Sequence, residues 1–268
     1  VHVYDINAES VKALVDKGAV GCSSCKEVAL LSEIVFTMVP DTPDVEKVLF
    51  GDGGVAEGAR PGSVVVDMSS ISPIATKNFA RKLADIGVDM LDAPVSGGQV
   101  GAEKAILSIM VGGKQEVFDR VKPFFEIMGK SMVLIGDNGA GQTCKVANQI
   151  AVAVTIAATA EALTFASKAG ADPAKVREAL MGGLAGSRIM ELLGERMIKR
   201  NFEPGGPLRI NQKDLNLALQ MARSLHMGLP FTAIAQEMYS AAAARAGMES
   251  DHSSMLLALQ QLADHPVA

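Results

Sequence analysis

The sequence predicts an α/β domain on a mostly parallel sheet, then one long helix, then an all-α domain. Three observations predict it. Short apolar runs rich in β-branched residues alternate with helical patterns through the first half of the chain. From Gly141 to about Ala169 no turn signal interrupts the chain. Beyond that point only helical periodicity remains.

The elements follow in order. Residues 1–4 read as a strand ending at Asp5, and residues 8–17 as a helix stopped by Gly18. The runs 34–39 and 64–66 read as buried strands, with helical patterns at 43–50 and 73–86. A strand around Met90 leads to the pair Gly97-Gly98, and 106–111 and 132–135 are two further strands. This alternation places helices on both faces of the sheet. Residues 1–138 are read as the first domain. Residues 139–268 are read as the second, including the long helix, which spans ~43 Å at 1.5 Å per residue. Its many alanines would let other helices approach closely. Pro173 starts a helix, Gly182-Gly183 break the chain, and 208–226 and 231–246 continue the helical period. Asp251 or Ser253 is the candidate cap of a last helix.

Composition narrows the function. With 268 residues, 49% apolar and 21% charged, the chain has the material for two packed domains. A formal charge of −5 argues against nucleic acid or an anionic membrane as the main partner, since both want a basic face. No secretory signal opens the sequence, and the apolar run 150–160 is too short to span a bilayer. Three cysteines, an odd number, read as reduced thiols, so the expectation is a soluble, cytoplasmic protein. Cys22 and Cys25 read as chance spacing near a helix start. The four histidines show no ligand spacing, and no metal site is expected.

An open sheet of this type begins with a strand, a glycine-rich turn and a helix that holds a pyrophosphate. Here the first residues already read as the second strand, and the G-x-G-x-x-G fingerprint is absent from the sequence. The expectation is therefore a dinucleotide-binding domain lacking its first strand and glycine turn.

Several segments carry candidate chemistry. Asp5 stands where a carboxylate can accept hydrogen bonds from the adenosine ribose hydroxyls, or can simply precede a helix as a cap. No cation lies before Lys12, which favours NAD over NADP. Val39 and Pro40, and likewise Ser70, stand at strand ends that border a ligand crevice or merely terminate strands. Ser96, Gly97 and Gly98 form a turn whose backbone can approach a carboxylate, or an ordinary glycine loop. Lys145 and Asn148 are three residues apart and share a helix face on a nearly uncharged helix. A lysine desolvated there has its pKa lowered toward the range of a general acid; a solvated surface lysine is the other reading. Lys213-Asp214 is either surface decoration or a reach toward a cofactor.

Taken together, segment 92–98, the G-x-G-x-x-x-K-x-x-N of 139–148, and Lys213-Asp214-Leu215 resemble the β-hydroxyacid dehydrogenase family, in the right order over nearly the whole chain. The resemblance implies a Rossmann-type dinucleotide-binding domain and NAD as cofactor, with NADP as the alternative. It implies reduction of a small carboxylated aldehyde, or oxidation of the matching β-hydroxyacid. Lys145 is then the catalytic lysine, and Ser96, Gly97, Gly98 and Asn148 contact substrate. Val39, Pro40, Ser70 and Lys213 line the cofactor side, and the C-terminal helices build a homo-oligomer, dimer or tetramer. One departure stands out: the family shows Gly-Thr-Leu after the glycine loop where this chain has Ala105-Ile-Leu107. The missing first strand leaves a different reading beside the enzyme, a truncated chain serving only as an assembly module.

Overall fold

The structure is a computed structural model that describes residues 1–267. It divides into two compact units, Val1–Lys145 and Val146–Ala268. The first unit opens with β1 (His2–Val3), α1 (Ala8–Val15) and β2 (Val20–Gly21), and the two strands pair in parallel as a small sheet of their own. Asn7, not Asp5, caps α1, its side chain accepting the Glu9 N–H.

The main sheet has six strands in the order β3-β4-β5-β7-β6, with β8 beside β7. Strands β3 (Ile34–Thr37), β4 (Val64–Asp67) and β5 (Asp89–Asp92) are parallel. They are separated by α2 (Cys25–Leu30), α3 (Thr42–Phe50), α4 (Val55–Gly58) and α5 (Pro73–Ala84). The parallel ladder ends there. β7 (Leu107–Gly112) runs antiparallel to β5 and to β6 (Val95–Ser96), because α6 (Gly98–Glu103) and its flanking turns allow a reversal rather than a crossover. After α7 (Gln115–Met128), β8 (Gly129–Gly136) pairs in parallel with β7.

Alternation along β4 explains its unbroken valines. Val65 belongs to one core with Val35, Met90 and Phe79, while Val64 and Val66 belong to another with Leu91, Ile109 and Phe125. A strand buried on both faces has no solvent side, so its sequence is continuously apolar. Ala105, just before β7, adopts φ +53°. That left-handed conformation is one glycine takes without strain, at a saving of roughly 1 kcal/mol, so the departure from the family's glycine is a local backbone cost.

The second unit is helical. It holds most of α8 (Ala140–Lys168), then α9 (Pro173–Met181), a π-helical turn Met190–Gly194, α10 (Glu195–Ile198), α11 (Leu208–Ser224), α12 (Pro230–Ala246) and α13 (Met255–Ala263). Its core gathers Ala153, Ile156, Ala160, Leu163, Leu215, Tyr239 and Met255. Asp251 accepts the Ser253 N–H and caps a short 3-10 turn, His252–Ser254, that runs directly into α13; Ser254, flanking α13 itself, makes no side-chain cap bond. By length and composition alone α8 is long and apolar enough to cross a membrane, a test that a helix packed in a protein core also passes.

One stripe of α8 is buried from end to end. It carries Gln142, Lys145 and Gln149, and then Ala153, Ile156, Ala160 and Leu163. The steps are three or four residues, the spacing of a single helix face. The stripe is polar for its first two turns and apolar afterwards.

The start of α8 is seated on the carboxyl end of the sheet. The Asp92 carboxylate accepts the Gly139 N–H at 2.7 Å and the Gln142 N–H at 2.9 Å. Burial pushes the Asp92 carboxyl up, opposed by those two backbone bonds. Its register neighbour Asp67 accepts the Thr37 hydroxyl at 2.8 Å and the Ser69 N–H at 3.2 Å. Its other oxygen is buried with no hydrogen-bond partner among the described residues. Burial pushes Asp67 to about 6, with the charge of Asp92 adding to the rise.

Two predictions follow from this seat. A Cβ on Gly141 would lie 2.5 Å from the Met110 carbonyl oxygen and 2.6 Å from that of Asp92. Alanine in a helix interior normally gains about 1 kcal/mol over glycine. Here overpacking against fixed backbone outweighs it, and Gly141→Ala should lose about 1–3 kcal/mol in urea unfolding. For Asp67 the folded pKa lies above the unfolded one, so the native state binds the proton more tightly. Its contribution is full below about pH 4 and is lost as pH rises through about 6. Asp67→Asn should therefore remove a fall in stability between pH 4 and 7 on the order of 3 kcal/mol, read as the difference in pH slope from the parent. Identical slopes would refute the burial effect.

Candidate active site

The carboxyl ends of β3 and β4 and the first turn of α8 form one hydrogen-bonded assembly. The Val39 N–H donates to the Ser69 hydroxyl at 2.9 Å. The Ser69 carbonyl accepts from Gln142 Nε2 at 2.7 Å, and the Ile71 N–H donates to Gln142 Oε1 at 3.1 Å. A single buried amide thus holds both sides of the Ser70 turn to the helix. Ser70 itself is half-buried, and Pro40 is exposed just before Asp41, which caps α3 through a capping box. Lys145 follows Gln142 by one turn and is buried, at 9% exposure.

The other expected residues of this unit make local contacts of their own. Asp5 is exposed beyond the end of β1 and accepts the Asn7 N–H at 2.7 Å. Ser96 ends β6 opposite Ser108. Gly97 and Gly98 follow with φ +140° and +62°, exposed, so their backbone is open to a ligand at positions where other residues would be strained. Cys22, Cys25 and Cys144 are free thiols, and Cys25 is the first residue of α2.

In the second unit Asn148 and Lys213 are joined through two buried side chains. Asn148 Nδ2 donates to Gln149 Oε1 at 2.8 Å, and Gln149 Nε2 donates to Asp214 Oδ2 at 2.6 Å. The Lys213 ammonium pairs with Asp214 Oδ1 at 3.2 Å. Asn211 joins them, accepting from Gln149 at 3.4 Å and donating to the Tyr239 hydroxyl at 2.6 Å. Burial pushes the Tyr239 hydroxyl well above its usual range, so it stays protonated.

Sequence reasoning missed Asp67, Gln142, Gln149 and Asn211, and took Asp92 only as part of a motif. A signal was present. Gln142 and Gln149 flank Lys145 by three and four residues, on the stripe that later turns apolar. Polar residues at core positions need partners, and here the partners are strand ends and buried side chains.

The donor set of the first unit fits a nicotinamide dinucleotide. An exposed carboxylate beyond β1 suits vicinal ribose hydroxyls, and the ends of β3 and β4 offer backbone and a serine hydroxyl.

Residues 1–136 match the family described as the NAD-binding domain of 6-phosphogluconate dehydrogenase. Residues 139–259 match the NAD-binding family of NADP-dependent 3-hydroxyisobutyrate dehydrogenase. The chain is 57% identical over 255 residues to the 2-hydroxy-3-oxopropionate reductase of Escherichia coli, covering 95% of this chain and 87% of that protein. It is 36% identical to the 2-(hydroxymethyl)glutarate dehydrogenase of Eubacterium barkeri, covering 98% of this chain and 87% of that one. Among solved structures, a 3-hydroxyisobutyrate dehydrogenase from Salmonella typhimurium superposes with a TM-score of 0.85 at 30% identity, covering 96% and 90% of the two chains. Fold, matched families and relatives agree that the chain belongs to the β-hydroxyacid dehydrogenase family of NAD(P)-dependent oxidoreductases.

Proposed function

We propose that this enzyme reduces 2-hydroxy-3-oxopropanoate (tartronate semialdehyde) to D-glycerate, with Lys145 as proton donor. The substrate rests on the 57% identity to the Escherichia coli reductase. The observation that carries the chemistry is the burial of Lys145, one turn beyond a helix start pinned by Asp92 and Gln142. A bound nicotinamide supplies the hydride. The Lys145 ammonium hydrogen-bonds the aldehyde oxygen and delivers a proton as negative charge grows there. The exposed Ser96–Gly98 backbone and hydroxyl hold the substrate carboxylate, and Asn148 takes a second polar group of the substrate. Val39, Pro40 and Ser70 flank the cofactor, Lys213 reaches it, and Asp5 accepts from its ribose, which selects NADH over NADPH. The exposed Phe231, Ile234 and Leu184 of the second unit support assembly as a homo-oligomer.

The second reading is a 3-hydroxyisobutyrate dehydrogenase, favoured by the family matched at residues 139–259. Reduction of tartronate semialdehyde and of methylmalonate semialdehyde, followed through NADH oxidation, separates the two. The hydroxyl-bearing aldehyde should be preferred by at least about tenfold in kcat/KM. Preference for the methyl compound would transfer the enzyme to the second reading. Lys145→Ala should lower kcat by about 10²–10⁴-fold with an unchanged melting temperature, and near-parental turnover would remove Lys145 from the mechanism.

A further inference from the structure

The buried chain from Lys213 to Asn148 has a direction. Asp214, 1% exposed, presents a carboxylate that only accepts hydrogen bonds. Gln149, 7% exposed, must turn its amide nitrogen toward it, and does so at 2.6 Å. Asn211 stands in the matching orientation. Its amide nitrogen donates to the Tyr239 hydroxyl at 2.6 Å and its oxygen faces Gln149 Nε2. Two acceptors therefore agree on the orientation of Gln149, which leaves Gln149 Oε1 toward Asn148. Asn148 answers with its own amide nitrogen at 2.8 Å. The carbonyl oxygen of Asn148 then lies on the opposite side of that amide. A terminal amide is otherwise free to present either end, so this orientation is set by partners and not by Asn148 itself.

We propose that Gln149, held by Asp214 and Asn211, is a positioning residue that fixes the Asn148 amide with its oxygen toward the reacting groups. This rests on the substrate contact assigned above to Asn148. An acceptor there suits a donor: a hydroxyl on the carbon beside the substrate carboxylate, or an ammonium. It gives nothing to a methyl and repels a carboxylate. The relay thus makes the site selective for 2-hydroxy aldehydes, while the Ser96–Gly98 turn takes the carboxylate.

Gln149→Met keeps the length of the side chain and removes both polar ends. In this variant kcat/KM for tartronate semialdehyde should fall about 10- to 100-fold, the range for a small misplacement of a contacting group. The value for methylmalonate semialdehyde should change far less, so that the selectivity ratio moves toward one. NADH affinity should stay at the parental value, because the Lys213–Asp214 pair is intact. Loss of stability alone would lower both substrates together, and that outcome overturns the proposal, as does a parental selectivity ratio. Should Gln149→Met not fold, the exchange pair serves instead. Gln149→Glu sets two carboxylates face to face and should lose selectivity. Gln149→Glu with Asp214→Asn restores an amide against a carboxylate, still leaves an acceptor toward Asn148, and should recover it; a double variant no better than the single one overturns the relay. The nitrogen-15 resonances of the Asn148 side-chain amide give a readout independent of substrate. They should shift in the Gln149 variant even if tartronate semialdehyde proves the wrong aldehyde, and unshifted resonances reject the relay whatever the enzyme reduces.

Discussion

The placement of Lys145 depends on two hydrogen bonds made by Asp92. Its carboxylate stands at the last residue of β5 and takes the Gly139 and Gln142 N–H groups. These are among the donors that a helix start leaves unsatisfied, at the end where the helix dipole is positive. The two bonds fix the point at which α8 begins against the sheet. A slip of one residue would rotate every later side chain by about 100° and carry Lys145 off the buried stripe. Gln142 then locks the same turn to Ser69 and Ile71 from the other side.

The arrangement has an electrostatic cost that the fold meets unevenly. Asp67 and Asp92 sit in register on adjacent strands and both are buried. Asp92 is answered by backbone donors at a helix start, which stabilise its charge. Asp67 has a hydroxyl and one N–H for one oxygen and, among the described residues, no hydrogen-bond partner for the other, and its pKa rises to about 6. Burial pushes both carboxyls up: at Asp92 the bonds from the helix start oppose the rise, while Asp67 reaches about 6 and is close to neutralising at mildly acidic pH. The polar half of the α8 stripe is treated similarly. Each buried amide on it is matched to a specific strand end or side chain, which is what makes a polar core unique in geometry rather than merely tolerated.

Much of this was legible in the sequence because the periodicities are strong. The valines of β4, the uninterrupted run of α8 and the helices after Pro173 were readable as element types, with boundaries shifted by one to three residues. The reversal at β7 was not readable, since antiparallel and parallel partners leave similar apolar runs in a sheet buried on both faces. Short pieces such as β2, α4 and the π-helical turn have too few residues to show a period. Lys145 and Asn148 stood out as candidates by their spacing. The residues that hold them did not, because Gln142 meets partners about 70 positions earlier in the chain and Gln149 meets Asp214 65 positions later. Spacing along a helix reveals a face but not what that face will meet.

The glycines around the seat divide the molecule by how much change it can absorb. At Gly112 and Gly141 even a methyl group would strike the Asp92 carboxylate or fixed backbone. At Gly98 an added Cβ would meet open space, and Gln99 and Val100 beside it are exposed. At Gly98 itself a side chain meets the strain of a positive φ, and at Gly97 it meets Leu107 as well; Gln99 and Val100 have neither constraint. The helix start that carries Lys145 is thus built where added bulk is punished, while Gln99 and Val100, just past the glycine turn, face solvent. A scaffold of this kind can vary an exposed surface segment at residues 99–100 while the helix start that carries Lys145 stays where it is.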